Sequence, residues 1–134
     1  MRRAFVDTSA WFAAACASDP DHARVSAALT REQRLVTSNF VLDETVTLCA
    51  AKLGHSVARR VGALLLDTDE VDLVRLTASD ELKAWQLMLD RADKRYSFTD
   101  CTSFVLMRRL GIEVAIALDE HFRQEGFEVL PRAR

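Results

Sequence analysis

The sequence predicts an α/β fold: a central, mostly parallel, twisted sheet of about five strands with helices covering both faces. Two observations carry this expectation. Short apolar runs alternate with longer amphipathic segments along the whole chain, as they do where parallel strands are joined by crossover helices. The composition is that of a globular domain, with 49% hydrophobic and 28% charged residues but only four Gly and two Pro. A disordered, collagenous or low-complexity chain is thereby excluded. At 134 residues, with no repeat, linker or composition break, residues 1–134 form one domain.

The elements follow in order. Ala4-Phe5-Val6 is a buried strand that emerges at Asp7. Asp7-Thr8-Ser9 offers caps for a short helix from Ala10 to Ala17. Asp19 as N-cap and Pro20 in the first turn open a helix running to about Glu32. Leu35-Val36 is the second strand, and Ser38 caps a helix from Asn39 to Leu53 that Gly54 ends. A helix from His55 to Leu66 carries the stripe Val57, Val61, Leu64 and Leu65; Val71 to Leu76 is the third strand. Thr77 and Asp80 resemble a capping box for a helix to about Ala92, with Leu82, Trp85 and Leu89 at core spacing. Ser97 or Thr99 caps the next helix, with Phe104, Val105 and Leu110 inward and Gly111 at its end. Ile112 to Leu118 is the fourth strand, Glu120 to Gln124 a brief helix, and Phe127 to Leu130 the last strand.

Eighteen basic residues, fifteen of them Arg, meet twenty acidic ones for a net charge of -2. That excludes a protein holding nucleic acid by bulk positive charge, but not local phosphate contacts, for which Arg is suited. No run approaches the ~20 apolar residues of a membrane helix. Met1-Arg2-Arg3 and the apolar Trp11 to Ala17 resemble parts of a signal peptide, but Asp7 interrupts them, so the chain is expected in the cytoplasm. Cys16, Cys49 and Cys101 are scattered and read as reduced, buried thiols; His22, His55 and His121 adjoin no cysteine pair that would suggest zinc.

Four acids stand out. Asp7 and Asp119 each follow an apolar strand, and in open α/β sheets ligands bind beyond the carboxyl ends of the strands. Asp100 falls in the first turn of its helix, a place that also suits an acid with no further role. Glu44 sits mid-helix beside Val41 and Leu48, where a carboxylate is costly unless paired or bound to metal. Asp43, about 100° away, faces solvent. Carboxylates without matching cations suit Mg²⁺ or Mn²⁺, ions that activate water and neutralise a phosphodiester. Ser9 and Ser103 add hydroxyls, Ser103 lying three residues past Asp100 on the same helical face.

The pieces Phe5-Val6-Asp7-Thr8-Ser9, Glu44, Tyr96-Ser97-Phe98-Thr99-Asp100-Cys101, Ala117-Leu118-Asp119-Glu120-His121-Phe122 and Gly126-Phe127 resemble those of PIN-domain ribonucleases, and among them the VapC toxins of type II toxin–antitoxin systems. The resemblance implies a three-layer fold and a metal-dependent endoribonuclease. Asp7, Asp100 and Asp119 would bind one or two Mg²⁺, Mn²⁺ being a possible substitute. Glu44 would be a further ligand or orient the attacking water, with Ser9 and Ser103 in support; loss of the 3′-oxygen would leave a 5′-phosphate. Many relatives carry Thr immediately before the last acid, where this chain has Leu118. The resemblance also implies a cognate VapB-like antitoxin, an RNA substrate such as a tRNA or rRNA, and a homodimer involving the early helices; no membrane is involved.

Arg91, Lys94, Arg95, Arg108, Arg109 and Arg123 flank the third and fourth acids, and some of this group is expected on RNA phosphate. Arg59-Arg60 reads as a solvated face, His121 as structural, and Trp85 and Phe104 as core; Trp11 and Phe12 suit either core or a partner surface. The alternatives are a PIN nuclease of RNA processing outside a toxin–antitoxin pair, a phosphoacceptor domain and a non-catalytic interaction domain. A phosphoacceptor domain would want a Lys after a late strand, and none follows Lys94. An aspartyl phosphatase would show Asp-x-Asp where this chain has Asp7-Thr8-Ser9. Four acids in place argue against a purely interacting domain.

Overall fold

The structure, a computed structural model, describes residues 2–29, 33–67 and 69–132. Its strands are β1 (Arg2–Val6), β2 (Gln33–Ser38), β3 (Val71–Val74), β4 (Val114–Ile116) and β5 (Glu128–Leu130). Its helices are α1 (Thr8–Ala15), α2 (His22–Leu29), α3 (Asn39–Leu53), α4 (His55–Asp67), α5 (Ala78–Asp90), α6 (Phe98–Leu110) and α7 (His121–Gln124). Helices flank one sheet of order β3-β2-β1-β4-β5 in a three-layer α/β fold. Every neighbouring pair of strands is parallel.

The strand order positions the site. Ala4 and Phe5 of β1 lie opposite Leu35 and Val36 on one side and Val114 and Ala115 on the other. Ala4, Phe5 and Val6 are fully buried, which explains why β1 is apolar without alternation after its two exposed arginines. From β1 the chain steps outward to β2 and β3, then returns to the far side of β1 for β4 and β5. The connections leaving β1 and β4 therefore diverge, and a crevice opens at their carboxyl ends.

Local chemistry fixes the helix ends. The Ser38 hydroxyl accepts from the Val41 N–H at 3.1 Å to start α3. Both Thr77 with Asp80 and Ser97 with Asp100 form reciprocal capping boxes, so Ser97 rather than Thr99 begins α6. Gly111 ends α6 in the left-handed conformation, φ 70°, that a Cβ would oppose.

Several boundaries differ from expectation. α2 begins at His22 rather than at Pro20, while Asp19 caps the preceding turn by accepting from the Asp21 N–H at 2.8 Å; the expected end at Glu32 lies outside the described residues. β2 is longer than Leu35-Val36 because backbone pairing with both neighbours recruits Gln33, Arg34, Thr37 and Ser38. β4 is shorter than Ile112 to Leu118, since only Val114–Ile116 pair with β1 and β5.

The largest correction concerns α5. Leu82, Trp85 and Leu89 are 68%, 51% and 54% exposed, so Trp85 is not core. At 100° per residue, Asp80, Ala84, Leu87 and Arg91 form the opposite stripe, and α5 packs against α6. Ala84 is fully buried, and the Asp80 carboxylate receives both Nε and an Nη of Arg109 at 2.8 and 2.7 Å. A small residue at close approach and a two-pronged ion pair orient this helix, against its apolar periodicity. Trp11, by contrast, is buried, and its indole donates to the Thr37 hydroxyl at 3.4 Å. Phe104 is core. Cys49 and Cys101 are buried free thiols, whereas Cys16 is half-buried. Among the described residues no helix is long and apolar enough to cross a membrane.

Candidate active site

All four acids meet at one pocket of about 420 Å³, together with Ser9, Arg95 and His121. Each arrives from a different element: Asp7 from the end of β1, Glu44 from α3, Asp100 from the first turn of α6, and Asp119 from the segment after β4. The ends of β1 and β4 are tied together, the Asp7 N–H donating to the Ile116 carbonyl at 3.0 Å. Ser9 strengthens the tie. Its hydroxyl donates to Asp7 Oδ2 at 2.8 Å and accepts the Leu118 N–H at 3.0 Å. The Leu side chain at 118 supplies no hydroxyl, but its backbone holds Ser9 in place.

The three aspartates share one arrangement. Asp7 Oδ2 takes the N–H and hydroxyl of Ser9, Asp100 Oδ2 takes the Ser97 N–H and His121 Nδ1, and Asp119 Oδ1 takes the His121 N–H. Asp7 Oδ1, Asp100 Oδ1 and Asp119 Oδ2 accept no hydrogen bond among the described residues. One oxygen of each acid is thus fixed by the scaffold while the other stays available. One ligand atom from each of Asp100, Asp119 and His121 lies within 4.8 Å of the others, close enough to hold a metal ion.

Electrostatics point the same way. Burial pushes the Asp7 carboxyl up to about 7, and the nearby Asp119 carboxylate adds to the rise; the Ser9 hydroxyl opposes it, and Asp100 raises it further. Asp119 is also raised, first by burial and then by Asp100, against the His121 N–H. Carboxylates that disfavour one another's charge, with oxygens left over, form a donor set that fits a hard divalent cation.

His121, read from sequence as structural, sits inside this cluster, its Nδ1 2.7 Å from Asp100 Oδ2 and 3.8 Å from Asp119 Oδ1. With Asp100 ionised, Nδ1 carries the proton. The signal available in sequence was its place two residues past Asp119, at the first turn of α7. Ser103 stays out of the pocket: its buried hydroxyl donates to the Thr99 carbonyl at 3.0 Å, the back-bond open to a helical Ser. Ser97 lines the pocket instead. Thr8 is buried and accepts from the Thr45 hydroxyl at 3.3 Å. Asp43 is exposed, as expected.

Acids from separate elements converging on the β1–β4 crevice define the chemistry of a metal-dependent phosphodiesterase, and the chain matches the PIN-domain family model over residues 4–128; it belongs to that family. It is similar to the 23S rRNA-specific endonuclease VapC20 of two Mycobacterium tuberculosis strains, CDC 1551 / Oshkosh and ATCC 25618 / H37Rv. In each case the identity is 40% over 129 residues, covering 95% of this chain and 98% of the relative. The crystal structure of M. tuberculosis VapC20, described as a sarcin–ricin loop cleaving toxin, aligns with a TM-score of 0.87 at 38% identity, covering 92% of this chain and 95% of that one.

Proposed function

We propose that this chain is a Mg²⁺- or Mn²⁺-dependent endoribonuclease, the toxin of a toxin–antitoxin pair, that cuts 23S rRNA in its sarcin–ricin loop. The observation that carries the nuclease reading is the convergence of Asp7, Asp100 and Asp119, each with one scaffolded and one available oxygen. The likeness to VapC20 supports the substrate.

Asp100 and Asp119, with Asp7 across the crevice, would hold the ion and His121 would border it. When bound, the ion neutralises phosphodiester charge and makes water a better nucleophile. Ser97 and His121 fix Asp100 from two sides, and Ser9 fixes Asp7, so the carboxylates need no reorganisation when RNA arrives. Glu44 orients the attacking water by accepting a hydrogen bond from it. Water oxygen bonds to phosphorus as the P–O3′ bond breaks, leaving a 3′-hydroxyl and a 5′-phosphate. A cognate antitoxin covering the pocket and a second copy of this chain complete the assembly, on the likeness to toxins of this type.

The test is incubation of the purified chain with a sarcin–ricin stem-loop RNA in Mg²⁺, Mn²⁺ or EDTA, followed by mapping of the ends. One cut with a 5′-phosphate, lost in EDTA and in folded Asp100→Asn, is expected. No cleavage of any RNA in either metal, or an Asp100→Asn variant cutting at the parent rate, overturns the nuclease reading. Cleavage confined to tRNA overturns only the substrate.

A further inference from the structure

The pocket poses an electrostatic problem that its acids do not solve. Four carboxylates repel an RNA strand, and a cation among them answers only for the phosphate being cut. The phosphates on either side need cations of their own. Of the six basic residues that flank the third and fourth acids in sequence, five are held by carboxylates. Arg91 and Arg108 reach Glu125 at 2.9 and 2.8 Å, and Arg109 reaches Asp80 at 2.7 Å. Lys94 and Arg123 pair with Asp93 at 3.4 Å and Glu120 at 3.5 Å. Arg95 is the sixth. It lines the acid pocket, is exposed, and has no acid partner among the described residues.

Its backbone is held firmly. The next residue, Tyr96, is buried and donates its hydroxyl to Glu125 at 3.0 Å, while its ring meets Phe104 edge-on with centroids 4.9 Å apart. On the other side, the Lys94 N–H donates to the Arg91 carbonyl at 2.9 Å. Two residues further on, Ser97 begins α6. Arg95 is therefore a free guanidinium on a fixed stem at the lip of the pocket, whereas Asp7 and Asp100 lie in its floor, 3% and 7% exposed.

We propose that Arg95 binds the RNA phosphate adjacent to the scissile one, anchoring the strand so that the bond to be cut falls over the carboxylates. The proposal rests on the ribonuclease reading above. A guanidinium suits the task because its planar fork grips phosphate with two parallel hydrogen bonds. Because it holds a phosphate whose bonds do not change, it stabilises the ground and transition states alike, and its loss appears in KM rather than in kcat.

The test compares the parent chain with Arg95→Ala and Arg95→Lys on the sarcin–ricin stem-loop RNA in Mg²⁺, across a series of salt concentrations. Arg95→Ala is expected to raise KM about tenfold, equivalent to 1.4 kcal/mol, with kcat within twofold of the parent and an unchanged melting temperature. The slope of log(kcat/KM) against log[salt] becomes shallower by about 0.7 to 0.9, the value of one phosphate contact. Arg95→Lys keeps the slope and recovers part of KM. An unchanged KM and salt slope in Arg95→Ala overturn the proposal, because a solvated surface arginine behaves that way. A fall in kcat at unchanged KM also overturns it, because that places the guanidinium on the reacting phosphate. A parent chain that cuts no RNA defeats the ribonuclease reading instead, so the two failures are distinct.

Discussion

Replacing Asp7 with Asn is expected to stabilise the metal-free protein while removing its activity. The Asp7 carboxyl is buried and raised from 3.8 to about 7, chiefly by desolvation and by Asp119. An acid whose folded value lies above its unfolded value favours folding while neutral; that contribution is fully present below pH ~4 and is lost as pH climbs to about 7. A difference of about 3 units at 1.36 kcal/mol each makes the ionised carboxylate cost about 4 kcal/mol by pH 8. Asn keeps an oxygen for the Ser9 donors and carries no charge to desolvate. Urea unfolding in EDTA checks this at pH 5 and pH 8. The variant exceeds the parent by about 1 to 2 kcal/mol at pH 5 and by about 4 at pH 8, and the comparison cancels the titrating groups that do not interact with Asp7. Mg²⁺ then raises the parent's stability by mass action more than the variant's. A variant equal to or weaker than the parent at pH 8, with no dependence on pH, would mean that the ionised Asp7 carboxylate costs the fold nothing.

Three further outcomes are expected. His121→Ala lowers affinity for Mn²⁺ by roughly 10- to 100-fold, measured by calorimetry, because Asp100 loses the partner that orients it. Glu125→Gln destabilises the fold by only about 1 kcal/mol in urea, because Arg91 and Arg108 lose their shared counter-charge but are exposed enough for water to solvate them. Burial alone would raise Glu125, but hydrogen bonds from Arg91, Arg108 and Tyr96 outweigh it and hold the carboxyl below the ordinary range. Its contribution is therefore present above the usual carboxylate pKa and lost as pH falls through the folded value. Trp85→Ser lowers stability by about 1 to 2 kcal/mol in the same assay, well short of the roughly 3 to 5 kcal/mol of a core tryptophan, since half of that residue already faces water.

The strands, caps and glycine stops were legible because each depends on neighbouring residues: Ser38 on Val41, Ser97 on Asp100, Gly111 on the turn it closes. The convergence of Asp7 and Asp119 was legible too, because strand-end acids in a parallel sheet share an edge. What escaped was decided across distance. The orientation of α5 depends on Arg109, 29 residues from Asp80, and two opposite stripes on one helix cannot be ranked without knowing the partner. His121 escaped because its value comes from Asp100, 21 residues away. Ser103 misled because a shared helical face does not say whether a hydroxyl turns outward or back onto its own helix.

The strand order also sets a sequence of events during synthesis. β1 is the middle strand and is made first, yet one of its two edges waits for β4, nearly the last strand to be translated. Until then Asp7 lacks both the Ile116 carbonyl that accepts its N–H and the Leu118 N–H that holds Ser9. A nascent or truncated chain ending before Asp119 carries an unfinished crevice with one wall missing. A metal-dependent nuclease would in this way be inert until its own synthesis has passed Asp119.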